Sequence, residues 1–173
     1  MLNVQTYIFF PITQHKFTSF PTRIPVDDTA TLRRAKPFLN LDRFEGYIEL
    51  TYYGQPILTH ILGDFIIDYW CYLVEALEDY IKKGSGRMYL PDQPIPIEFE
   101  EQGSNWVLMT VGEAGEYGKW LLPREELIKT LIEGAVHFFK GIYDAFGDDI
   151  IRQNYFKGLL EESSNIKKQY LGD

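Results

Sequence analysis

The chain has 173 residues, 45% of them hydrophobic and 24% charged, enough apolar material for one globular domain with its own core. Its one cysteine, Cys71, excludes an intrachain disulfide, and no stretch approaches the roughly 18 consecutive apolar residues of a membrane span. A formal net charge of −8 argues against nucleic acid and anionic lipid as partners.

The opening residues, "MLNVQTYIFFPITQH", carry no basic leader and no small-residue cleavage site. They read as a strand over residues 4–9, and with the lone cysteine the expected compartment is the cytoplasm. Pro11, Pro21, Pro25 and Pro37 make residues 11–37 loop-like, relieved by a short helix over residues 29–35 that Asp28 caps. In "FEGYIELTYYGQPILTHI", Phe44, Ile48, Leu50 and Tyr52 alternate with Glu45, Glu49 and Thr51, the pattern of a half-buried strand. Gly54, Gln55 and Pro56 turn the chain into a shorter strand ending near His60.

"GDFIIDYWCYLVEALEDY" follows, residues 63–80. Leu62, Phe65, Ile66, Tyr69, Leu73 and Leu77 recur at three- and four-residue intervals, and Asp64, Asp68, Cys71, Glu75, Glu78 and Asp79 form a second stripe. Ile67, Trp70 and Val74 widen the apolar arc, so this helix packs on a sheet and on something else along its flank. Gly84, Ser85 and Gly86 end it, with Lys82 and Lys83 in its last turn.

Strands resume with "RMYL", the rigid turn "PDQPIP", and Ile95, Ile97 and Phe99 alternating with Glu98 and Glu100. A hairpin turn at residues 102–105 leads into "WVLMTV", and the loop "GEAGEYG" into "KWLL". Pro123 opens a second long helix with Glu125 and Glu126 in its first turn, and its apolar stripe runs from Leu127 to Phe146 before Gly147 stops it. "DDIIRQNYFKGLLEES" reads as a third helix, and residues 164–173 as a polar tail. This order predicts a single α+β domain over residues 1–173. Its mostly antiparallel twisted sheet has about five to seven strands, carrying two long helices and a shorter C-terminal one.

The negative charge is not spread evenly. Residues 64–116 hold eleven acids and three bases, whereas the remainder is balanced, so the whole excess lies in the middle third. Asp64 and Asp68 have the i, i+4 spacing that could hold a hard cation, but no second acidic helix accompanies them, and no metal or other cofactor is expected. His15, His60 and His137 lie in separate regions, and the pairing of Glu133 with His137 lacks the rest of a zinc motif. No serine sits in a GxSxG elbow, and acids beside Cys71 raise a thiol pKa instead of activating it. The glycines at 112, 115 and 118 belong to a hairpin loop whose Glu113 and Glu116 would repel phosphate.

Recognition of another macromolecule remains, with no catalytic residue assigned. Asp64, Asp68, Glu75, Glu78 and Asp79 from the helix, helped by Glu98, Glu100 and Glu101 from the hairpin, would steer a basic protein. Trp70 and Tyr72 would anchor it, and Tyr47, Tyr53, Tyr89, Trp106 and Tyr117 offer further rings, about half of the seven being expected in the core. Two other classes stay open: a small-molecule-binding protein or small enzyme with a pocket between sheet and helices, and a homo-oligomer joined through the wide helix arc.

The segment "DFIIDYWCYLVEALEDYIKKGSGRMYLPDQPIPIEFEEQGSNWVLMTVG", with "LPREELIKTLIEGAVHFFKGI" after it, resembles a pattern in small bacterial α+β domains. Some of these are similar to immunity proteins of polymorphic toxin systems. The shared features are an acidic aromatic helix, a "PDQPIP" approach to a hairpin, and a Pro-Arg-Glu-Glu helix start, across residues 60–143. The resemblance implies a stoichiometric binder that masks a toxin domain, often a basic nuclease, and it brings no catalytic residue with it.

Overall fold

The computed structural model describes residues 1–11 and 21–172, so His15 and part of the proline-rich stretch lie outside the described residues. The protein is α+β with two antiparallel sheets. In the first, β1 (Leu2–Phe9) lies between β2 (Arg23–Pro25) and β3 (Glu45–Tyr52), and β3 also pairs with β4 (Gln55–Leu58) and β5 (Asp64–Phe65). The second runs in chain order through β6 (Ser85–Tyr89), β7 (Pro96–Gln102), β8 (Trp106–Val111) and β9 (Gly118–Pro123). Its helices are α1 (Thr29–Ala35), α2 (Ile66–Lys83), α3 (Arg124–Phe146) and α4 (Gln153–Leu171). Among the described residues no helix is long and apolar enough to cross a membrane.

The strands thus divide into groups of five and four where the sequence suggested one sheet. Residues 66–83 are spent on α2, and the strands after it pair only with one another. The three-residue β2 is absent from the sequence reading because its register comes from β1: Tyr7 faces Pro25, Ile8 faces Ile24, and Phe9 faces Arg23. The β3–β4 turn lies one residue earlier than expected, at Tyr53 and Gly54. Both have positive φ, 48° and 77°, the signature of a two-residue hairpin turn. Pro56 therefore falls inside β4, where an outer strand can spare its N–H.

α2 is buried on two sides. Toward the first sheet, Trp70 stacks on Phe138 of α3 and donates its indole N–H to Thr6 Oγ1 of β1 at 3.2 Å. Toward the second, Tyr80 meets Phe99, and the backbone of β6 runs directly over the helix. A Cβ on Gly86 would sit 1.9 Å from the Ala76 carbonyl oxygen, so only glycine permits that contact. Gly84 ends α2 in the left-handed region, its N–H donating to Tyr80 O at 2.8 Å.

The expected polar tail is instead the second half of α4, which continues to Leu171. Ile166, Tyr170 and Leu171 pack against the core, and Tyr170 donates to Glu78 of α2 at 3.1 Å. Ser163 and Ser164 both donate to the Leu160 carbonyl, which lets polar residues continue the helix. An ionic network ties the loop after α1 to the α3–α4 turn. Arg152 grips Asp42 with two bonds of 2.7 Å and reaches Asp149 at 3.3 Å, while Lys36 pairs with Asp148 at 2.9 Å.

The Arg152 guanidinium holds the Asp42 carboxyl below its ordinary value, and Lys36 does the same for Asp148. A carboxyl with a depressed folded-state pKa stabilises the fold above the unfolded pKa and loses that contribution as pH falls through the folded one. The thermal midpoint should therefore drop below about pH 4, near the ordinary carboxylate pKa. Arg152→Gln should lower the midpoint at neutral pH and flatten the acid limb, as read by circular dichroism melts from neutral to acidic pH.

Candidate functional site

Of the ten residues proposed for partner binding, Asp64 and Trp70 must be removed. Asp64 precedes α2 instead of lying on it, so the expected i, i+4 pair with Asp68 does not exist. Its carboxylate is buried and accepts hydrogen bonds from the backbone N–H groups of Phe65 (2.7 Å) and Asp92 (3.1 Å) and from the Gln93 amide (3.2 Å). It pins the "PDQPIP" loop to the start of α2. The fully buried Tyr69 phenol nearby is pushed to higher pKa, first by burial and then by the Asp64 charge. Trp70 has no exposed surface and belongs to the core described above.

Three more of the acids have cations beside them. Glu78 pairs with Lys82 (3.1 Å) and Asp79 with Lys83 (2.8 Å) one helical turn on, and Glu98 pairs across the sheet with Arg87 (3.1 Å). Among the described residues Asp68, Glu75, Glu100 and Glu101 have no ion-pair partner. The hairpin acids also divide: Glu98 and Glu100 share the outer side of β7, and Glu101 points the other way, beside Gly84.

What remains together is a strip on α2. Asp68, Tyr72, Glu75 and Asp79 follow one another at four-, three- and four-residue steps on its one uncovered side. Because β6 is an edge strand, this strip continues into a shallow groove of about 400 Å³ between α2 and β6. Tyr72, Glu75 and Asp79 line one wall, and Arg87, Tyr89 and Pro91 the other. Tyr72 is 41% and Tyr89 47% exposed. Arg87 lies 4.9 Å from the Tyr89 ring centre and is engaged by both Glu98 and Glu113, so the one cation among the described residues lining the groove is already neutralised. Of the seven candidate rings Tyr47 and Trp70 are core, while Tyr53, Trp106 and Tyr117 are exposed away from this groove.

Cys71 faces α4, and burial, followed by the charges of Asp68, Glu162 and Glu75, pushes its thiol up to about 12. His137 contacts Asp27 across the α3 surface, and no group of three or more metal-ligating side chains occurs among the described residues.

A larger cavity, about 770 Å³, opens at one end of the first sheet, a place that no sequence pattern marks. Its apolar wall comes from Phe9, Phe10, Leu39 and Phe44, and Arg23, Arg43 and His60 supply its basic groups. Arg23 donates to the Tyr47 hydroxyl at 2.9 Å and lies over Tyr7; Arg43 lies over Phe65, 4.1 Å from the ring centre. Tyr47, fully buried, is enclosed by Tyr7, Phe9 and His60. These residues come from four separate stretches of chain, so no local pattern announces them.

No family model, no curated protein and no solved structure matches this chain.

The two first-named aspartates should part company on substitution. Asp64→Ala leaves the part-buried N–H groups of Phe65 and Asp92 without their acceptor and should cost about 1–3 kcal/mol of stability, whereas Asp68→Ala should change it by less than about 0.5 kcal/mol. Urea unfolding of both variants checks this contrast.

Proposed function

We propose that this protein is a non-enzymatic binding module for a basic protein, which docks on the α2 strip and the groove beside it. The observation that supports this reading is that Glu75 lines the groove with the half-exposed rings of Tyr72 and Tyr89 while Asp68 lies one turn before Tyr72, two carboxylates without a cation partner among the described residues. A lysine or arginine entering the groove finds an unneutralised carboxylate and aromatic walls at once, the combination that gives both steering and anchoring. In the form that the sequence resemblance implies, the partner is a bacterial toxin domain and this protein masks it. The reading uses fewer acids than the sequence suggested, since Glu78, Asp79 and Glu98 are held by their own cations.

Wild-type protein and the Asp68→Asn/Glu75→Gln variant, immobilised side by side, provide the test. A basic protein should be retained by the parent and reduced on the variant. Its measured association rate should fall about five- to tenfold at low salt and converge with the parent's when the Debye length shrinks to about 3 Å. Equal association rates at low ionic strength, or a retained partner that is not basic, would contradict the assignment.

A further inference from the structure

The cavity at the end of the first sheet has the wrong charge for the protein that contains it. The chain carries an excess of eight negative charges, yet among the described residues the polar groups lining this cavity are Arg23, Arg43, His60, Asn40, Thr22 and a single acid, Glu45. Two other arginines are consumed by carboxylates, Arg87 by Glu98 and Glu113 and Arg152 by Asp42 and Asp149, while Arg33 donates to the Asp144 backbone carbonyl. Arg23 and Arg43 differ, because among the described residues no carboxylate lies within ion-pair distance of either. Each is held in place by aromatic faces, Arg23 by Tyr7 and the Tyr47 hydroxyl, Arg43 by Phe65. Such contacts orient a guanidinium without neutralising it, leaving its remaining N–H donors for an anion.

The walls set the rest of the ligand. Phe9, Phe10, Leu39 and Phe44 offer apolar surface against which a hydrocarbon or ring can be buried. A volume of about 770 Å³ is in the range of small-molecule sites, which combine an apolar lining with a few fixed polar groups.

We propose that this cavity binds a small organic anion with an apolar body, its charge met by Arg23 and Arg43 and its body by the phenylalanine wall. The site lies apart from the α2–β6 groove and does not depend on it. Glu45 would attract a cationic ligand, but the two arginines outweigh it, so the net preference is for negative charge.

Three probes of matched shape decide the matter: phenylbutyrate, phenylbutanol and phenylbutylamine, titrated into the full chain by calorimetry, with amide chemical shifts used to locate binding. Phenylbutyrate should bind saturably, raise the melting temperature, and shift the amides of residues 9, 10, 43 and 44. The alcohol should bind about tenfold more weakly and the amine weaker still. Arg43→Gln, a surface change that leaves the Arg23–Tyr47 bond intact, should bring the acid's affinity down to the alcohol's without altering the latter. Absence of saturable phenylbutyrate binding, equal affinity for the three probes, shifts confined to another part of the molecule, or an unchanged preference in Arg43→Gln would each overturn the proposal. Selectivity among the probes is read on the parent protein, so the outcome does not depend on any variant folding.

Discussion

Everything in this molecule is arranged around the burial of one helix from two directions. α2 receives the first sheet through Trp70, whose indole N–H is satisfied by Thr6 and whose ring is stacked on Phe138. It receives the second sheet through Ala76 and Tyr80, at a closeness that only Gly86 allows. Tight helix–sheet contact of this kind resists even one added methyl group, because packed interiors have no slack to absorb it. Two sheets with no strand pairing between them among the described residues are thereby joined through a common wall.

That constraint also decides what the protein can show to a partner. α4 covers the Cys71 and Glu78 flank of α2, and β6 closes the opposite edge. The strip left over is narrow, and the charged groups on it are those that burial did not claim. Asp64 was claimed by three donors, and Glu78 and Asp79 by lysines one turn away. A large formal charge thus shrinks to a few free carboxylates beside two tyrosines, which is a smaller but better-defined surface than net charge alone suggests.

Local patterns were legible wherever the cause was local. The alternation of Ile48 and Leu50 with Glu49, the stripes of α2 and α3, the Asp28 cap and the hairpin at residues 102–105 all follow from spacing and turn chemistry. What depended on distant partners was not legible. β2 exists because β1 templates it, and α4 continues through polar residues because Ile166, Tyr170 and Leu171 have a core to meet. Asp64 looked like a helix-surface acid because its donors, Asp92 N and Gln93 Nε2, stand 28 and 29 residues away. Trp70 is one apolar residue among several in the sequence, and only the position of Thr6 shows which way it faces. The cavity has no signature at all, being assembled from the ends of strands that are far apart in the chain.

If α2 is the common wall, the two sheets form one cooperative unit. Native-state hydrogen exchange of the intact protein, followed residue by residue across a urea series, tests this directly. The slowest amides of β1 and β3 and those of β7 and β8 should converge on a single opening free energy with a single urea dependence. Exchange through two separate openings, one sheet losing protection while the other keeps it, would contradict the account.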